Sequence, residues 1–322
     1  MKTLSPGRII AFAGVLAVFS AAHAEYPEKP LRLIVPFPPG GGTDTIARIL
    51  SQKFAATLGQ QVILDNRPGA GTTIGAELAA KSPPDGYTLL LGSIANAISA
   101  ALYSKLNYDL VRDFAPITLL ATTPGVLVVH PTLPVKSVKE LVLLAKSRPG
   151  QLAYSSSGNG SPNHLAGELF KYMTGVKMIH VPYKGGGPSI IALLSGEVSL
   201  CFASMPSAIE HIRAGKLRAL AVTTAQRLHS MPALATIAEA GVPGYEAEIW
   251  YGLSAPARTP KEIVARLNAE SIKALSFADA KERLDNMGYL VRTSTAEEFA
   301  AFTQSEIEKW RKVVKAADMR AD

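Results

Sequence analysis

From residue 25 onward, short apolar runs alternate with turns rich in glycine, proline and serine, and then with segments whose apolar residues recur every three or four positions. The run 31–35 predicts a strand, 37–42 a turn, and 43–57 an amphipathic helix with Ile46, Ile49, Leu50 and Phe54 on one face. The succession returns as strand 62–64, turn 66–71 and helix 72–80, then as strand 87–91 with Gly92, Ser93 and an alanine-rich helix. Beyond Pro124 a second series predicts strand 126–129 and a helix to Lys146 opened by a capping box of Ser137 and Glu140. It continues with strand 152–154, polar turn 155–162 and helix 163–172, then strand 178–181, turn 183–188 and helix 189–194, and ends on strands 198–202 and 217–222. The tail offers a strand at 249–254 carrying Trp250 and Tyr251. A helix follows, its start marked by Thr259, Pro260 and Glu262, and then a last helix capped by Ser294 and Glu297.

Strands alternating with helices at this spacing imply mainly parallel sheets covered on both faces. A small first unit, a complete second unit and a helical tail imply that the tail packs back on the first. The expected class is α/β with two lobes, lobe 1 from residues 25–123 and 248–322 and lobe 2 from 124–247. Crossings near 115–126 and 240–255 would form the hinge.

The first residues change the picture of where such a chain works. Lys2 and Arg8 form a basic start, 9–22 is apolar, and Ala22-His23-Ala24 suits a signal peptidase, so a leader over 1–24 and a periplasmic mature protein are expected. The apolar run is short for a permanent span. Cys201 is the single cysteine, which excludes an internal disulfide, and a chain of 322 residues is long enough to need none. Without the leader, 31 basic residues face 26 acidic ones in a dispersed pattern. That mild bias favours anionic solutes and, lacking a basic stripe with interleaved aromatics, gives no support for nucleic acid.

Candidate chemistry lies in three glycine-rich turns at strand ends, where parallel sheets place their ligand crevices beside helix N-termini. The first is Phe37-Pro38-Pro39-Gly40-Gly41-Gly42-Thr43-Asp44, whose three glycines let backbone amides approach a solute. The second is Ser155-Ser156-Ser157-Gly158-Asn159-Gly160-Ser161, with hydroxyls and amides for a carboxylate or a water. The third is Tyr183-Lys184-Gly185-Gly186-Gly187-Pro188, which adds an aromatic ring and an ammonium. Each also admits a plain reading as a capped surface turn.

Other patterns argue for less. Residues 69–75, Gly-Ala-Gly-Thr-Thr-Ile-Gly, imitate a dinucleotide loop and keep an NAD-linked oxidoreductase as the alternative. The ribose-binding acid, however, should end the next strand, whereas Asp85 precedes strand 87–91. Ser161 and His164 lack the G-x-S-x-G elbow of a hydrolase, and His164 reads as structural, with Glu168 a local partner. The histidines at 130, 164, 180, 211 and 229 form no i,i+4 pair, so no metal, cofactor or catalytic set is expected.

Six segments in order resemble the Bordetella uptake gene family, the periplasmic receptors of tripartite tricarboxylate transporters. They are Val35-Pro36-Phe37-Pro38-Pro39-Gly40-Gly41, Asn66-Arg67-Pro68-Gly69-Ala70-Gly71, Asp85-Gly86-Tyr87-Thr88-Leu89, Ser157-Gly158-Asn159-Gly160-Ser161, His164-Leu165-Ala166-Gly167-Glu168 and Val181-Pro182-Tyr183-Lys184-Gly185. The resemblance implies a Venus-flytrap receptor, monomeric and without enzymatic chemistry. It would bind a small organic acid, dicarboxylate or aromatic carboxylate and serve membrane transporter subunits or, in some relatives, a sensor. By the same resemblance, two loops hold the carboxylate as pincers: residues 38–44 match one, 155–161 and 183–186 supply the opposite lobe, and Ser93 lines the cleft. The family often carries aspartates where this chain has Ser199 and Ala203; the loss at Ala203 disfavours an amine-bearing ligand.

Overall fold

The computed structural model describes residues 26–39 and 42–319. The expected leader and the glycines Gly40 and Gly41 lie outside the described residues. Among those described, no helix is long and apolar enough to cross a membrane.

The first lobe is built on a six-stranded sheet. β1 (Leu31–Val35), β2 (Val62–Asn66) and β3 (Thr88–Ser93) are parallel and joined by α1 (Gly42–Leu58) and α2 (Thr73–Ala80), with α3 (Ile94–Leu102) after β3. The chain then returns in β4 (Phe114–Thr123) and crosses at Pro124 into β5 (Gly125–Val129). The second lobe holds a five-stranded sheet ordered β7-β6-β8-β5-β9, from β6 (Ala153–Ser156), β7 (Ile179–Pro182), β8 (Leu200–Ser204) and β9 (Arg218–Val222) around β5. Helices α4 (Val138–Ser147), α5 (Pro162–Thr174), α6 (Gly186–Leu194) and α7 (Met205–Arg213) cover it. The chain crosses back into β10 (Ile249–Pro256), which inserts between β3 and β4. It finishes with α8 (Lys261–Ser276), α9 (Ala278–Asn286), the short β11 (Leu290–Val291) and α10 (Ala296–Ala316).

The two-lobed α/β class holds, but both sheets are mixed rather than mainly parallel. The strand–helix–strand units give parallel pairs, β1 with β2 and β3 in one lobe and β6 with β7 and β8 in the other. The strands at the crossings run the other way, so β10 is antiparallel to β3 and β4, and β5 to β8 and β9. β4, a strand the pattern of residues did not announce, is buried on nearly all of its length.

Two helix starts differ from expectation by a residue. Thr295 and Glu298, not Ser294 and Glu297, form the box that opens α10. Ser294 instead ties the tail to β4: its Oγ accepts from the Leu119 amide at 3.0 Å, and its own amide donates to Thr118 Oγ1 at 3.1 Å. At α8 the N-cap is Pro260, and Thr259 turns its hydroxyl to the Pro256 carbonyl. Ser137 caps α4 as expected, while Glu140 reaches past it to the Lys136 amide.

One apolar core crosses between the lobes. Ile98, Leu119 and Trp250 from the first and Leu127, Leu165 and Phe170 from the second belong to the same buried cluster, closed by Ile307 and Trp310 of α10. The tail helix therefore acts as a clasp along α3 that also reaches α5. Beneath it, Glu306 is buried and accepts from both Trp250 Nε1 at 2.9 Å and Trp310 Nε1 at 3.1 Å.

Candidate functional site

The strand register decides where the glycine-rich turns face. Tyr251 of β10 pairs with Ser93 at the end of β3, and Ile249 pairs with Thr123 at the end of β4. The carboxyl ends of β1 and β3 thus lie on the side of the crossings. In the second lobe Gly125 pairs with Ser204, which puts the carboxyl end of β8, and with it that of parallel β6, on the same side. Both families of turns border the seam between the lobes. Thr223 fastens the two crossings together, since its Oγ1 accepts from the Gly125 amide at 3.0 Å and its carbonyl from the Ala247 amide at 2.9 Å.

On the first lobe the centre of the site is the start of α1. A Cβ added to Gly42 would lie 2.8 Å from Tyr289 Oη and 2.9 Å from Tyr251 Oη, so glycine is what lets both hydroxyls close on this helix end. Burial pushes both phenols up, which keeps them neutral donors at physiological pH. Thr123 Oγ1 donates to Tyr251 Oη at 3.4 Å, and the Tyr251 and Tyr289 rings stand 5.9 Å apart. First-turn amides with a positive dipole end and two phenol donors form a place for an anion. Thr123, Tyr251 and Tyr289 were not foreseen; their only signal was aromatic residues on an otherwise aliphatic strand and a tyrosine after Gly288.

The expected first-lobe residues divide by role. Pro39 is exposed and Phe37 half-buried against the lobe core. Thr43 and Asp44 are buried. Asp44 is committed internally: its carboxylate accepts from Arg48 Nε at 2.8 Å and from Asn66 Nδ2 at 3.1 Å, and Asn66 also donates to the Phe37 carbonyl. These bonds make Asp44 a brace of the turn. Ser93 is buried as the cap of α3, accepting from the Ala95 amide.

In the second lobe the serines are likewise unequal. Ser155 is fully buried and bonded to Ser189, which also touches Cys201 Sγ at 3.4 Å; burial pushes that thiol up. Ser156 is equally buried and shares a 2.6 Å hydrogen bond with His180 Nε2. These two hold the loop from beneath. Ser157 donates to Asn163 Oδ1, and Ser161 caps α5 by accepting from the His164 amide. Asn159 is exposed, and Gly160 comes within a methyl's reach of Leu102 across the seam. Tyr183 gives its hydroxyl to Glu197 at 2.8 Å, while Lys184 is exposed. The Gly185 amide donates to the Ser157 carbonyl at 3.2 Å, which ties the two loops together, while nothing crowds Gly186 or Gly187 at the start of α6. Ala203 is buried among apolar neighbours of α6 and α7.

Beneath the 155–161 loop lies a buried polar cluster. His164 and His180 stack at 3.6 Å, Glu168 accepts from Tyr154 Oη at 2.6 Å and Lys171 Nζ at 2.7 Å, and His164 Nδ1 accepts from the Gly160 amide at 3.1 Å. Burial, with the neighbouring charges of His180 and Lys171, lowers His164 to about 3. Burial, with Lys171 and against the pull of Glu168, lowers His180 to about 4. The unfolded chain therefore binds more protons below an ordinary histidine value of about 6.5. This stability is full above that pH and is lost as pH falls through 4 toward 3. Denaturation midpoints between pH 7 and 4 are expected to decline, and to decline less in His164→Gln/His180→Gln; equal slopes would show that the pair does not drive the loss.

The rival chemistries fit this geometry poorly. Ser161 and His164 meet as a helix cap, with the His164 Nδ1 lone pair used by a backbone amide. The 69–75 segment forms a short helical turn over Ala70–Thr72, and Asp85 sits before β3, at the end of that strand away from the crevice, paired with Lys29. Among the described residues no group of three or more His, Cys, Asp or Glu side chains is placed to hold a metal.

Comparison with known proteins adds four findings. The model of the tripartite tricarboxylate transporter family receptors matches residues 46–319. Protein BugT of Bordetella pertussis is 39% identical over 311 residues, covering 96% of this chain and 95% of its own. Among solved structures, an R. palustris protein with adipate superposes with a TM-score of 0.79 at 39% identity, covering 92% of this chain and 99% of that one. MatC from Rhodopseudomonas palustris with bound malate gives 0.76 at 34% identity, over 90% and 100%.

Proposed function

This chain belongs to the tripartite tricarboxylate transporter receptor family, and from that premise we propose that it closes its two lobes over a small organic carboxylate in the periplasm and presents it to membrane transporter subunits. The observation that carries the reading is the start of α1, where a side-chain-free Gly42 is flanked by the Tyr251 and Tyr289 hydroxyls. A carboxylate taken out of water needs its oxygens hydrogen-bonded, and fixed neutral donors meet that need without the cost of burying a counter-charge. The uncrowded start of α6 at Gly186 and Gly187 supplies amides from the opposite lobe. Ser157, Asn159, Gly160 and Lys184 complete the second wall, while Asp44, Ser155 and Ser156 keep the walls in shape.

Closure follows from where Tyr251 sits. It is two residues into β10 from the second crossing, and Thr123 beside it is the last residue of β4 before the first. A solute that engages Tyr251 stabilises the hinge strands in one arrangement, so binding and lobe position are coupled. The relatives solved with adipate and malate support the ligand class.

A thermal-shift screen of protein unfolded and refolded to strip bound solute tests the reading. At 100 times its dissociation constant a carboxylate is expected to add about 2.7 kcal/mol of apparent stability. Stabilisation by NAD with none by any carboxylate would overturn it.

A further inference from the structure

Between the lobes, on the α7 side of the seam, lies a cavity of about 620 Å³ walled by Met205, Pro206, Ile209, Met231, Met287 and Tyr289. We propose that it receives the apolar body of the solute, so that the preferred ligands are carboxylates with an alkyl or aryl body of roughly six carbons or more rather than short hydroxylated acids. The inference rests on the carboxylate site described above and extends it.

Three features place the cavity next to that site. Tyr289 belongs to both: its ring lines the cavity, while its hydroxyl reaches the start of α1 and hydrogen-bonds Thr45. Met205 follows the end of β8 directly, and its amide donates to the carbonyl of the hinge residue Pro124 at 2.8 Å. The far wall is closed where Gly288 of the first lobe approaches Pro206 of the second, a Cβ at Gly288 lying 3.2 Å from the proline ring. A solute held by its carboxylate at Gly42 thus has one tyrosine ring between its head and a space shared by both lobes.

The chemistry of the walls selects the body. Three methionines, an isoleucine and a proline face the space, and flexible thioethers adapt to chains or rings of different shape. The charged groups at the wall are Glu210, Arg213 and Asp285. Arg213 is bonded to Glu210 at 2.8 Å, and with Asp285 the wall carries two acids against one base, a balance that disfavours a second carboxylate on the solute. Burying methylenes instead is favourable by a regular increment.

Calorimetric titration of the refolded protein with butyrate through octanoate, benzoate and malate tests this. Affinity is expected to rise about three- to fourfold per methylene, from an increment of about 0.8 kcal/mol per CH₂. Met287 is among the exposed large apolar residues, so the neutral Met287→Gln should fold normally. It is expected to weaken octanoate and benzoate several-fold more than butyrate, without adding a charge that would repel every acid. A flat series, or equal loss for long and short acids in Met287→Gln, overturns the cavity assignment while butyrate or malate binding keeps the receptor reading. Failure of every acid to bind overturns that reading and the inference together.

Discussion

Gly42→Val is expected to lower solute affinity by on the order of a hundredfold, because two charge-assisted hydrogen bonds at about 1.5 kcal/mol each are lost. The valine Cβ would occupy space 2.8 Å and 2.9 Å from the two phenol oxygens, forcing Tyr251 and Tyr289 away from the helix end and covering its amides. The rings are buried, so some of the effect could come from a disturbed fold. Tyr251→Phe separates the two causes. It removes one oxygen, keeps the packing, and is expected to cost about tenfold in affinity with little change in unfolding midpoint. Calorimetry of both variants decides: affinity unchanged in Tyr251→Phe removes the hydroxyl from the site.

The largest expected effect on stability belongs to Glu306→Ala. The carboxylate is buried, takes one hydrogen bond from each tryptophan of the pair 250 and 310, and is paired with Lys309, which also leans toward the Glu246 carbonyl just before the second crossing. Alanine would strand two indole donors in the core, at about 2 kcal/mol each, or about 4 kcal/mol in all. Glu306→Gln keeps an acceptor and should cost about half as much. Chemical denaturation followed by tryptophan fluorescence measures both, and a loss below about 1 kcal/mol in Glu306→Ala would mean that water replaces the carboxylate.

Most strands were legible because β-branched runs end at glycine, proline or serine, and because a capping serine or threonine announces the helix that follows. β4 was not. It carries Pro116, which ordinarily argues against an interior strand, and the sheet accepts it through a register shift opposite Ser254. Both of its faces are buried, so it shows no alternation to read. The glycine-rich turns were legible as candidates from their position after strands. Their individual side chains were not: a run of three serines gives no hint that Ser155 and Ser156 turn into the core while Ser157 stays at the rim. Tyr251 and Tyr289 meet Gly42 only through packing between segments more than 200 residues apart in the chain.

The insertion of β10 between β3 and β4 also fixes an order of assembly. β3 and β4 are not neighbours in the finished sheet, and the slot between them stays vacant until residues beyond 249 arrive. The second sheet, by contrast, draws all its strands from one uninterrupted stretch ending at Val222. A chain emerging from its amino end can therefore complete the later lobe first and must hold the earlier one open. Long-range pairing of this kind is slow to form, and here it delays the native state until almost the whole polypeptide is present.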